Sequence, residues 1–183
     1  MKILAISGSL RKQSFNTALL RAAQSLAAPG LELQLATLHG IPLYDADRER
    51  NEGLPEAVTA LKERIKAHDA LLLATPEYNN SLPGVFKNAI DWLSRPPADI
   101  AAVFGDRPVA VIGASPGGFG TTLAQTAWLP VLRTLGTRPW FGGRLLVSQA
   151  GAAFDDDGKL TDETVRKRLA GFLRDFAAFA DAR

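Results

Sequence analysis

Residues Ile3-Leu4-Ala5-Ile6, running into Ser7-Gly8-Ser9, decide how the rest of the chain is read. A short unbroken apolar run closed by small polar residues reads as a strand buried on both faces and then a tight turn. The pattern returns at Ala70-Leu71-Leu72-Leu73-Ala74 and at Val109-Ala110-Val111-Ile112. Leu31-Glu32-Leu33-Gln34-Leu35 differs, because apolar and polar residues alternate as in a half-exposed strand. Leu145-Leu146-Val147 is a late strand. Helical patterns separate these runs. Between Thr17 and Ala27, Leu19, Ala22, Ala23 and Leu26 recur at helical spacing, and Ser14 or Asn16 can cap the helix. Pro55 opens a helix with Val58, Leu61 and Ile65 on one face. Thr161 to Ala182 reads as a closing helix, with Asp162 and Glu163 in its first turn and Val165, Leu169, Phe172, Phe176 and Phe179 as its buried stripe. His39 to Gly53 reads as a turn-rich loop.

Strands alternating with helices predict an α/β fold around a parallel sheet. The runs at 3–6, 70–74 and 109–112 belong at its centre, and the alternating strand at 31–35 at an edge. A five-stranded sheet of order 2-1-3-4-5 meets these conditions, which is the flavodoxin-like three-layer sandwich. No repeat, low-complexity tract or linker divides the chain, so residues 1–183 read as one domain.

Composition narrows the function. The chain has 183 residues, 46% of them hydrophobic and 22% charged, which is ordinary for a folded globular protein. Lys plus Arg is 21 and Asp plus Glu is 19, and no basic run reaches five residues, so a nucleic-acid footprint is not expected. With no cysteine, thiol chemistry is excluded, and with only His39 and His68 a multi-histidine metal site is not expected. The start has one positive charge and a short apolar run, too little for an export signal, and no stretch is long enough to span a membrane. A cytoplasmic protein is expected.

In open α/β sheets ligands bind beyond the carboxyl ends of the strands, where strand order reverses. Here that point falls between strands 1 and 3, so the loops after Ile6, Ala74 and Ile112 are the ones to inspect. The first, Gly8-Ser9-Leu10-Arg11-Lys12-Gln13-Ser14-Phe15-Asn16, offers hydroxyls, an amide and a guanidinium at a helix N-terminus, where backbone N–H groups already favour an anion. It lacks the Walker lysine and the GxGxxG fingerprint, so a phosphomonoester fits better than a pyrophosphate. Helix capping alone explains one of Ser9, Arg11, Ser14 and Asn16, not the four together. The second, Thr75-Pro76-Glu77-Tyr78-Asn79-Asn80-Ser81-Leu82-Pro83-Gly84, has two prolines and a glycine to fix its backbone, and suits the edge of a flat heteroaromatic ring. Glu77 reads either as a ring-edge residue or as merely solvated. The third, Gly113-Ala114-Ser115-Pro116-Gly117-Gly118-Phe119-Gly120, allows close backbone approach or is a flexible turn. A phosphate pocket beside a planar platform describes flavin mononucleotide (FMN) or another mononucleotide.

Three motifs carry a family resemblance. They are Gly8-Ser9-Leu10-Arg11 with Ser14 and Asn16, then Pro76-Glu77-Tyr78-Asn79 with Ser81, Pro83 and Gly84, then Lys87-Asn88-Ala89-Ile90-Asp91-Trp92. The chain resembles the NAD(P)H-dependent FMN reductases, and Ile41-Pro42-Leu43-Tyr44-Asp45 resembles their chromate and quinone reductase branch. The resemblance implies bound FMN, with Ser9, Arg11, Ser14, Phe15 and Asn16 at the phosphate and ribityl end. Pro76, Glu77, Tyr78 and Asn79 would border the isoalloxazine, and Ser115, Gly117 and Gly118 its other edge. It also implies ping-pong hydride transfer from NADPH or NADH through FMN to a small oxidant: a quinone, flavin, azo or nitro compound, or chromate. The cofactor does the chemistry, so no catalytic acid or base is assigned. A homodimer or homotetramer is implied, with Tyr44 and Asp45 reaching a neighbouring site and Leu43, Tyr44, Trp128 and Trp140 available for burial.

Two other functions fit a mononucleotide site: a flavodoxin-type electron carrier and a non-catalytic mononucleotide-binding regulator. Carriers are typically strongly acidic, and a net charge of +2 opposes that. His39 and His68 read as surface residues. Asp155-Asp156-Asp157-Gly158 reads as a surface turn rather than a calcium loop, which needs ligands at alternate positions.

Overall fold

The computed structural model describes residues 1–182. The elements run β1 (Lys2–Ser7), α1 (Phe15–Leu26), β2 (Glu32–Ala36), α2 (Ala46–Glu52), α3 (Glu56–Lys66), β3 (Ala70–Ala74), α4 (Gly84–Leu93), α5 (Ile100–Phe104), β4 (Pro108–Ala114), α6 (Thr122–Thr134), β5 (Arg138–Pro139), β6 (Leu145–Val147), α7 (Ala150–Ala153) and α8 (Glu163–Asp181). The sheet is parallel, in the order β2-β1-β3-β4-β5, with β6 also pairing β4. This is the flavodoxin-like arrangement the runs predict. The fifth strand is split. Residues Trp140 to Arg144 interrupt it, so β5 pairs with the start of β4 and β6 with its end.

Each central strand divides its side chains between two cores. Ile3 and Ala5, Ala70, Leu72 and Ala74, and Ala110, Ile112 and Ala114 face α1 and α8. Leu4 and Ile6, Leu71 and Leu73, and Val109 face α3, α4, α5 and α6. Apolar residues are therefore needed at every position, which produces unbroken runs rather than alternation. Strand order reverses between β1 and β3, and right-handed crossovers then place α1 on the opposite face from α3 and α4.

Several expectations are corrected. The span from His39 to Gly53 contains α2, capped by Asp45, whose Oδ1 accepts from the Asp47 and Arg48 amides. No residue of α2 is buried, so it leaves no apolar periodicity to read. His68 is buried, with Nδ1 donating to the Arg64 carbonyl at 2.6 Å, rather than lying on the surface. Trp128 is buried within the subunit and meets Phe86 edge-on at 4.7 Å, so it is unavailable to an interface. Trp140 is half-buried against Phe172 and Phe176. In α8, Leu173 joins the buried stripe, whereas Phe179 is half-buried under the Arg138 guanidinium. Asp162 caps α8, accepting from the Val165 amide at 2.9 Å. Among the described residues no helix is long and apolar enough to cross a membrane.

Candidate active site

The loops after β1, β3 and β4 lie side by side along one end of the sheet, on both sides of the reversal point. Backbone bonds continue the sheet ladder into them. The Gly8 amide donates to the Ala74 carbonyl at 2.9 Å, Thr75 to Ile112 at 2.9 Å, and Ser115 to Val147 at 3.0 Å. Gly8 sits under the Phe86 ring and Pro76, where a Cβ would overlap the ring. Glycine is required there by packing.

The first loop ends in α1. Ser14 caps the helix, its Oγ accepting from the Thr17 amide at 3.3 Å. Ser9 Oγ accepts from the Arg11 amide at 3.2 Å. Both hydroxyls act as acceptors within the chain, so each keeps its own O–H to donate. Among the described residues the backbone N–H groups of Phe15 and Asn16 have no partner, as first-turn donors of a helix do. The exposed Arg11 guanidinium likewise pairs with nothing among the described residues. The Phe15 ring turns toward Phe154, 5.7 Å away, so this residue offers its N–H rather than its side chain. Asn16 is buried, with its amide bonded to both the N–H and the C=O of Ala114.

The second loop is a tight hairpin turn. Tyr78 and Ser81 exchange both backbone bonds at 3.1 Å, and Asn79 and Asn80 between them have φ of 49° and 59°. Two successive left-handed residues make a type I′ turn, where asparagine is the usual substitute for glycine. Pro76 is buried, while Tyr78 and Asn79 are exposed. Glu77 is not merely solvated: its Oε2 accepts from the Leu123 and Ala124 amides of α6 at 2.8 and 3.0 Å.

The third loop is stitched to the segment after β6. The Ala150 amide donates to Ser115 and the Gln149 amide to Gly117, each at 3.0 Å. Gly117 and Gly118 have open space where a Cβ would stand, and Phe119 is 75% exposed. Gly113 lies below, where a Cβ would overlap the side chain of the buried Thr121.

Thr121 supports the third loop by packing against Gly113, a contact that no local sequence pattern marks. Tyr44 and Asp45 are held within the subunit. The Tyr44 hydroxyl donates to Glu49 at 2.9 Å, and its ring meets Trp92 edge-on at 5.0 Å. Arg95 Nε bonds both Glu49 oxygens at 3.1 and 2.9 Å, and its guanidinium holds the Glu49 carboxyl below the usual carboxylate range. The Glu49 hydrogen bond in turn pushes the Tyr44 hydroxyl above its ordinary pKa.

Unpartnered donors at the start of α1 and an exposed rigid turn on the neighbouring loop fit a phosphate-bearing planar cofactor. They define a site of the flavin-mononucleotide class. Comparison with known proteins agrees. Residues 1–152 match the family model of the NADPH-dependent FMN reductases. The chain is 47% identical over 169 residues to NAD(P)H-dependent FMN reductase PA1204 of Pseudomonas aeruginosa, covering 92% of this chain and 89% of that one. It is 37% identical to a 2-hydroxy-1,4-benzoquinone reductase of a Burkholderia species, covering 98% and 96%. The solved structure of FerB, a flavoenzyme NAD(P)H:(acceptor) oxidoreductase of Paracoccus denitrificans, superposes with a TM-score of 0.87 at 38% identity, covering 98% of this chain and 97% of that one. The chain belongs to the NADPH-dependent FMN reductase family. It is an FMN-dependent NAD(P)H oxidoreductase.

Proposed function

We propose that this site passes electrons from NADPH or NADH, through FMN held across the three loops, to a quinone-type acceptor. The observation that carries this reading is the unpaired donor set at the start of α1, beside a rigid exposed turn at the same end of the sheet. When bound, FMN supplies hydride acceptance and electron delivery; the chain supplies binding, orientation and electrostatics. The Phe15 and Asn16 N–H groups, the Ser9 and Ser14 hydroxyls and Arg11 hold the phosphate. Pro76, Glu77, Tyr78 and Asn79 form one border of the ring through a backbone fixed by the hairpin turn. Ser115, Gly117 and Gly118 form the other, with Gly117 and Gly118 leaving the approach open. Asn16 holds the end of β4 through Ala114, and Glu77 holds the loop after β3 against α6.

Quinone reductases among the relatives support the acceptor class, and free flavin, azo and nitro compounds and chromate are the competing acceptors to assay. Steady NADPH or NADH oxidation with 1,4-benzoquinone, exceeding that with the other acceptors, is the expected result. A protein that binds FMN but does not turn over NAD(P)H is an electron carrier or regulator, and overturns the reading. We further propose a homodimer or homotetramer, supported by Leu43 at 82% and Phe141 at 70% exposure. Light scattering that gives only the monomer mass of 19.6 kDa for active, FMN-loaded protein overturns it.

A further inference from the structure

A cleft of about 460 Å³ opens between α1 and the turn after α7. Ser14, Ala18 and Arg21 recur at helical spacing along one wall, and Phe154, Asp155 and Asp157 stand on the other. The cleft shares Arg11, Ser14 and Phe15 with the loop assigned above to the FMN phosphate, so the two sites adjoin. Arg21 belongs to the cleft alone. It lies seven residues beyond Ser14 on α1, a rise of about 10 Å from the helix end where the cofactor phosphate is held. Arg21 and Lys12 are exposed, and among the described residues their side chains form no ion pair. On the other wall, Asp155 Oδ1 accepts from the Asp157 and Lys159 amides, whereas the exposed Asp157 carboxylate bonds nothing among the described residues. Arg21 and Asp157 also line a second hollow further along α1. An unpaired cation and an unpaired carboxylate are thus held in one cleft beside the cofactor's phosphate end.

We propose that this cleft takes the adenosine ribose of the reduced dinucleotide, with Arg21 and Lys12 holding the 2′-phosphate of NADPH and Asp157 accepting from the 2′-hydroxyl of NADH. The inference rests on the placement of FMN across the three loops. Its chemistry is the usual means of telling the two dinucleotides apart: a guanidinium accommodates the phosphate, a carboxylate bonds the free hydroxyl, and each disfavours the other's ligand. The volume suits a nucleoside-sized group. With both charges present the protein accepts both dinucleotides, and the balance between Arg21 and Asp157 sets the preference.

The experiment uses FMN-loaded protein and two readouts. Calorimetric titration gives the affinities for adenosine 2′,5′-bisphosphate and adenosine 5′-monophosphate, and steady-state rates with 1,4-benzoquinone give kcat/KM for NADPH and for NADH. Arg21→Gln removes one hydrogen bond to a charged group, so it should weaken the bisphosphate and lower kcat/KM for NADPH about tenfold. The monophosphate and NADH should change less than about twofold. Asp157→Asn removes a repulsive charge and an acceptor, so the NADPH-to-NADH ratio of kcat/KM should rise about threefold. An unchanged ratio in either variant, or equal losses for both dinucleotides in Arg21→Gln, overturns the proposal. A fall in FMN affinity in Arg21→Gln places Arg21 on the cofactor's own phosphate and overturns it as well. Unaltered protein that binds no FMN at micromolar concentration overturns the FMN reading itself, a failure visible before any variant is made.

Discussion

Asn16, in the first turn of α1, bonds both backbone groups of Ala114, the last residue of β4: its Nδ2 donates to the carbonyl at 2.9 Å and its Oδ1 accepts from the amide at 3.0 Å. The two residues are 98 apart in sequence. This buried clamp ties the loop after β1 to the end of β4. Asn16→Ala leaves two buried backbone groups unpartnered, at a cost of about 1–3 kcal/mol each. Urea denaturation should show a loss of roughly 2–6 kcal/mol. A loss below about 1 kcal/mol would mean that water replaces the clamp.

Arg11 is exposed at the mouth of the loop that leads into α1. A hydrogen bond to a charged group contributes roughly 1.5–3 kcal/mol, so Arg11→Ala should weaken FMN about ten- to a hundredfold. Riboflavin, which has no phosphate, should bind as before. Fluorescence titration of both ligands is the check. Equal weakening of the two would place Arg11 away from the phosphate.

The turn at Asn79 and Asn80 needs left-handed backbone at both positions. Asn80→Gly should leave stability within a few tenths of a kcal/mol, since glycine adopts this region freely. Asn80→Val should cost about 1–2 kcal/mol, because a β-branched residue is strained there. Thermal unfolding separates the two variants, and FMN affinity should fall only in the valine form.

Glu49 joins α2 to the residues after α4 through Arg95. Its pKa in the folded protein is lowered, chiefly by the Arg95 hydrogen bond. Such a group contributes stability that is fully present above the ordinary glutamate pKa of about 4.3 and is lost as pH falls through the lowered folded value. Glu49→Gln should therefore be less stable than the unaltered protein near neutral pH, and the gap should close as acid is added. Urea midpoints measured down a pH series will show this, and a gap constant with pH would contradict the Arg95 pairing.

Local sequence determined much of this protein. The unbroken runs at 3–6, 70–74 and 109–112 report strands covered on both faces, and the alternation at 31–35 reports an edge, because burial is imposed residue by residue within one element. The strand order and the loops that could form a site follow from that pattern. Tertiary structure alone decided how those loops are held. Asn16 reads as a donor to an anion and Glu77 as a ring-edge or solvated acid, yet both side chains bond backbone groups of distant elements. Helix α2 leaves no apolar periodicity because it buries nothing, and His68 reads as a surface residue because its neighbours in sequence do not bury it. Periodicity records which face of an element is covered. The partner a polar side chain meets is set by how elements far apart in the chain are brought together, and no local pattern encodes that.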